Sequence, residues 1–150
     1  MRTLFFSLGT LLCVLCTGSA TAAPASEPKY VDAATLTLVN KAQPTSQPFH
    51  RVEVADYADL SKTVRLYYTY STGVAVVFRT DSRTLTARWT TTDRKTSTHY
   101  AALAQKGMDL YIKRDGKWIF AGIARPKEGA EHTAKIVEHM DGSEKECLLY

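Results

Sequence analysis

GMDLYIKRDGKWIFAGIARP, residues Gly107 to Pro126, is the stretch on which the reading of this 150-residue chain turns. Met108, Leu110 and Ile112 alternate with Asp109, Tyr111 and Lys113. That two-residue period belongs to a strand with one face in a core. Arg114-Asp115-Gly116-Lys117 follows, and its Asp-Gly pair accepts positive φ at both central positions of a type I′ turn. The stretch therefore predicts two strands folded about Asp115-Gly116. Asp109 is out of place in the first of them, because a short carboxylate competes for backbone hydrogen bonds and strands tend to exclude it. Two explanations stay open: Asp109 is catalytic, or it belongs to a scaffold.

The same period recurs outward from this hairpin. Leu36 and Leu38 share a face in TLTLVN, as do Val74, Val76 and Phe78 in GVAVVFRT. In TLTARWTTT, Leu85, Ala87 and Trp89 oppose Thr84, Thr86, Arg88 and Thr90. Turn residues fall between these runs at Ser71-Thr72-Gly73, Asp81-Ser82-Arg83 and Asp141-Gly142-Ser143. The last is read as a second hairpin, joining AKIVEHM to KECLLY. Short strands with regularly spaced turns predict an all-β chain, an antiparallel sandwich or barrel. Ser97 to Lys106 reads as a long loop with one helical turn. In YYTY, Tyr68 and Tyr70 are expected to be core-facing or half-buried and Tyr67 to lie outside.

The N-terminus reads differently. Arg2 precedes an apolar run from Leu4 to Cys16 that is too short to span a bilayer, and Ala20 and Ala22 form an A-x-A cleavage site. Residues 1–22 are thus expected to be a signal peptide, cleaved near Ala22, with export to the periplasm or beyond. Leucines precede Cys13 and Cys16, where a lipidated cysteine needs a small neighbour, so a lipoprotein signal fits less well. Residues 23–34 form a proline-bearing tether, and 35–150 form the folded domain. The remaining 128 residues suffice for one domain that hides roughly two-thirds of its unfolded surface. Once the leader is gone, Cys147 is the sole cysteine, and it is expected to be a buried strand residue. Losing Arg2 lowers the formal charge from +4 to +3. The basic residues are interleaved with acids rather than gathered into a stripe, which argues against nucleic acid as a partner.

Chemistry is sparse. No G-x-S-x-G elbow or G-D-S block is present, and none of His50, His99, His132 and His139 has an aspartate three residues upstream. His132 and His139 lie seven residues apart, on opposite faces if both sit in one strand, so no metal site is predicted. No catalytic residue and no cofactor is assigned. The tyrosines of YYTY could form a carbohydrate-binding platform.

At this point a resemblance becomes visible. Gly107-Met108-Asp109-Leu110-Tyr111 fits the Gly-x-Asp-Leu-Tyr signature of the N-terminal domain of secreted SGNH-type esterases. LSKTVRLYYTYSTGVAVVFRTDSRTLTARWTTT, GKWIFAGIARP and MDGSEKECLLY resemble further blocks of that domain in the same order, the last as its final hairpin. The resemblance implies a jelly-roll-like β-sandwich placed before a catalytic domain of the same chain, acting on an acylated carbohydrate. The catalytic serine, the oxyanion glycine and asparagine and the Asp-x-x-His pair of that second domain have no counterparts here. The chain therefore reads as truncated, ending in an unpaired strand.

Under this resemblance Gly107, Asp109, Leu110 and Tyr111 are structural signature residues. Asp109 is expected to pair with Arg79, Arg88 or Arg125, or to cap backbone N–H groups. His99 and Tyr100, in the long loop Thr92–Lys106, become the candidate cleft contacts. The leading expectation is a non-catalytic accessory domain packed on an SGNH catalytic domain. The alternatives are a free-standing carbohydrate-binding module and a purely structural exported domain.

Overall fold

The computed structural model describes residues 27–92, 95 and 97–150. The leader, its cleavage site and the start of the tether lie outside them. Seven strands account for most of the regular structure: β1 (Thr37–Val39), β2 (Ala75–Thr80), β3 (Leu85–Thr90), β4 (Met108–Arg114), β5 (Lys117–Ala124), β6 (Glu131–Val137) and β7 (Lys145–Leu149). Two short helices, α1 (Lys62–Tyr68) and α2 (Ala102–Lys106), interrupt them. The large sheet has the order β1-β2-β7-β4-β5, and β3 pairs with β6 in a second sheet. Every pairing is antiparallel. The path crosses between sheets after β2, β3, β5 and β6, which gives the all-β antiparallel sandwich expected from the alternation, with the jelly-roll-like form that the resemblance implied.

The alternation decides the core. Leu38, Val76, Leu149 and Leu110 align across four strands, and Phe78, Cys147 and Ile112 form the next row on the same face. Leu110 and Cys147 are completely buried. A leucine so placed contributes about 1.5–3 kcal/mol relative to leaving it in water. Between Leu110 and Tyr111 the β4–β5 register shifts, Leu110 facing Gly122 and Tyr111 facing Phe120, so Ala121 is the extra residue of a β-bulge. A side chain at Gly122 would put its Cβ 2.3 Å from the Ile136 carbonyl oxygen. The two sheets come into backbone contact there, and only glycine leaves the room.

The Asp115-Gly116 turn has φ of 51° and 74°, the type I′ signature that the sequence predicts. The second predicted hairpin is not one. β6 pairs with β3, whereas β7 pairs with β2 and β4. Gly142 does adopt positive φ, but the turn is held by Arg83, whose carbonyl accepts from Met140 N–H and whose guanidinium donates to Met140 O. The final strand is likewise not an unpaired edge, since β7 lies inside the large sheet.

A second correction concerns YYTY. Ser61 caps a helix by accepting from Val64 N–H, and Tyr67 and Tyr68 close that helix rather than extending a strand. Tyr67 is exposed as expected. Tyr68 is half-buried, as expected, edge-on against Tyr57. No residue of α1 is buried.

Candidate functional site

The signature pentapeptide resolves into separate physical jobs. Gly107 ends α2: its N–H donates to Leu103 O at 2.8 Å, and a Cβ there would lie 2.4 Å from Leu103 Cδ1 and 2.6 Å from Leu103 O. Its φ of −86° shows that close packing, not a left-handed backbone, requires the glycine. Leu110 fills the core. Tyr111 points to the opposite face, edge-on to Phe120 at 5.8 Å and to Tyr150 at 6.1 Å.

Asp109 exchanges backbone hydrogen bonds with Tyr150 at 3.0 and 2.9 Å, extending the β4–β7 ladder by one pair. The expected arginine partnership is not formed. Arg79 pairs with the exposed Glu144, and the Arg88 guanidinium lies over the Tyr30 ring. Among the described residues, nothing donates a hydrogen bond to the Asp109 carboxylate. It is half-buried, on the same face as Tyr111.

The loop Thr92–Lys106 enters from β3 and returns into β4, at the sheet end that holds Asp109 and Tyr150. Its described part is strongly tethered. Gln105 accepts from Ser97 N–H at 2.7 Å and donates to the carbonyls of Ser97 and Tyr100 at 3.1 and 2.8 Å. One amide thus clamps the turn that carries His99 and Tyr100. Both of those side chains are exposed, Tyr100 to 68%.

Both ends of the loop are anchored to β3 and β6. Trp89 Nε1–H donates to Lys106 O at 2.8 Å. Beside it lies His132, 1% exposed, with ring centroids 5.1 Å apart. Lys127 N–H donates to His132 Nδ1 at 3.2 Å, which leaves the ring proton on Nε2, 2.9 Å from Thr91 Oγ1. Thr91 N–H also donates to Ala130 O at 2.8 Å. His132 is therefore a structural keystone at the loop's root rather than a ligand.

Sequence reasoning singled out His99 and Tyr100 but missed Trp89, Gln105 and His132 as the residues that hold the loop. Gln105 had a faint signal, a lone amide in the otherwise apolar run AALAQ. The other two depend on contacts distant in sequence. Among the described residues no group of three or more metal-ligating side chains occurs, and no helix is long and apolar enough to cross a membrane. A shallow groove between α1 and Val54, lined by Lys62, Arg65, Leu66 and Thr69, brings no acid–base pair together.

Comparison with known proteins places this geometry. A family model described as GxDLY, the N-terminus of SGNH-hydrolase-type esterases, matches residues 28–150. A crystal structure described as that of a GDSL-like lipase from Bacteroides ovatus is similar, with 44% identity and a TM-score of 0.79. The match covers 81% of this chain but 36% of that one, so this chain spans about a third of the neighbour's length. No curated protein matches the chain.

Proposed function

This chain belongs to the GxDLY family, the N-terminal part of SGNH-hydrolase-type esterases, and from that premise we propose that it is a non-catalytic accessory domain of an exported esterase. It packs on a hydrolase domain and forms one wall of that domain's cleft. The substrate class is an acylated carbohydrate, and export follows cleavage near Ala22. The observation that supports this reading is the clamped turn at Ser97–Tyr100. A loop locked by Gln105, Trp89 and His132 presents His99 and Tyr100 outward; Ser97 Oγ beside them accepts from His99 N–H at 3.2 Å, and among the described residues no acid is hydrogen-bonded to the His99 ring. Such a device suits contact better than bond cleavage.

The isolated domain, assayed on a chromogenic acetate ester, is expected to turn over no faster than a heat-denatured sample. Turnover above that control would overturn the accessory role. The tyrosines of YYTY give the glycan-platform alternative little support, because Tyr67 and Tyr70 are tilted 56° to each other and offer no shared flat face. Affinity electrophoresis on several polysaccharides should accordingly show no retardation.

A further inference from the structure

The face of the β4–β5 hairpin opposite Leu110 carries an aromatic strip whose outer rings stay exposed, while Leu148, the cross-strand partner of Tyr111 on that face, is buried. Tyr111 sits at its centre, flanked by Phe120 and Tyr150, and Trp118 extends it toward the hairpin tip. Phe120 is 57% exposed, Tyr150 43% and Trp118 38%. Ion pairs rim the strip on the same face: Lys113 bonds Glu146 at 3.0 Å and lies over the Trp118 ring, and Arg79 reaches Glu144 at 3.2 Å. An aromatic centre inside a charged rim is the anatomy of a protein–protein interface. The ring planes argue against a sugar, since Tyr111 stands 75° from Phe120 and 84° from Tyr150. Edge-to-face rings present no coplanar surface for stacking a pyranose.

We infer that this strip is the surface on which the hydrolase domain of the same polypeptide docks, an inference that rests on the accessory-domain reading. Three observations fix the occupant. The family is the N-terminal part of SGNH-type esterases, and the larger share of the solved neighbour's chain lies outside the match. Tyr150 is itself part of the strip, with its hydroxyl accepting from Asn40 Nδ2 at 3.2 Å, so any polypeptide continuing from it starts on this surface. The Asp109 carboxylate faces the same side, half-buried and without a hydrogen-bond donor among the described residues. It is an acceptor that a docked domain can satisfy.

The test joins this chain at Tyr150 to the part of the Bacteroides ovatus protein outside the match, in place of that protein's own matching segment. Hydroxyl-radical footprinting then compares the joined protein with the free 150-residue chain. Labelling of Trp118, Phe120 and Tyr150 should fall by about threefold or more in the joined protein, while Tyr30 and Phe49 stay unchanged. Phe120→Lys removes one edge-to-face contact and should lower the melting temperature of the free chain by only about 2 °C, and it should restore labelling of Tyr150 in the joined protein. Equal labelling of the strip in both proteins overturns the inference.

Protection confined to another surface, such as Leu66 and Tyr67, overturns the strip but leaves the accessory role standing; no protection anywhere overturns both. Protection of the free chain as its concentration rises would assign the strip to a second copy, and protection by an acetylated polysaccharide would assign it to a glycan. Should the joined protein fail to fold, lysine at the position aligned with Phe120 in the intact Bacteroides ovatus protein provides the same test. A drop in Tm of about 5 °C or more is expected, and an unchanged Tm overturns the inference.

Discussion

Replacing His132 by leucine keeps most of the side-chain volume and removes both ring hydrogen bonds. Lys127 N–H and Thr91 Oγ1 lose their partners, and each loss costs about 1 kcal/mol, the low end of the range, because both sites are only part-buried. The tilted contact with Trp89 at 5.1 Å adds about 0.5 kcal/mol. The sum, about 2–3 kcal/mol, is a large share of the 5–15 kcal/mol typical of a domain. At roughly 4 °C per kcal/mol for a domain of this size, thermal unfolding followed by circular dichroism should shift down by about 8–12 °C. Thr91→Val alone should cost about 1 kcal/mol, and the double variant less than the sum of the two, because the shared hydrogen bond is lost once. Hydrogen exchange at residues 97–106 should rise in the His132→Leu protein, since the root of the loop is released. A Tm within about 2 °C of the parent, or strictly additive single effects, would refute the keystone role.

Other perturbations test the rest of the architecture. Gly122→Ala places a methyl 2.3 Å from the Ile136 carbonyl oxygen, a backbone atom that cannot swing aside, so a loss of about 1–3 kcal/mol is expected in chemical denaturation. Cys147 is completely buried, and burial pushes its thiol up from the ordinary range, against a smaller opposing pull from Lys145. In a protein starting at Ala23, a thiol reagent should find no reactive group in the native state and one after denaturation. The raised thiol keeps its proton in the fold, so stability should fall only as pH climbs past about 9, where the unfolded thiol ionises. Asp141 accepts from Lys145 and from Ser143 N–H and Oγ, which together hold its carboxyl well below the usual range. Its contribution is present above the unfolded pKa and lost on acidification. Asp141→Ala should therefore lower Tm at neutral pH, and the gap to the parent should narrow progressively below about pH 4.

Much of the fold was legible because alternation and turn chemistry are local. Met108–Ile112 announced a strand, and Asp115-Gly116 announced the turn that follows it. The same reasoning failed at Asp141-Gly142-Ser143 for a physical reason: a turn signal specifies backbone angles, not which strands pair beyond them. Here Arg83, from the β2–β3 connection, claims the turn, and β7 leaves for the other sheet. Helix α1 was missed because KTVRLYY is rich in β-branched and aromatic residues, and Ser61 was its one start signal. In the candidate site, the exposed His99 and Tyr100 could be picked out by loop length. Their supports could not, because Trp89 reaches Lys106 and His132 reaches Thr91 across the fold. Asp109 stood out as an anomaly, but its arginine partner was inferred from charge alone; Arg79 and Arg88 are occupied elsewhere, and Arg125 forms no ion pair with it.

The placement of β7 has a consequence for biosynthesis. β7, last in chain order of the seven strands described, is inserted between β2 and β4, which were translated long before it. Until residues 145–149 emerge, β1-β2 and β4-β5 remain two separate ribbons, each with a bare edge where β7 belongs. Closing them requires contacts between residues about 70 positions apart, so folding of this sheet should be slow and should wait until β7 has emerged. Under the export proposed above, that delay keeps the chain open, and an open chain threads a translocation channel more readily than a folded one.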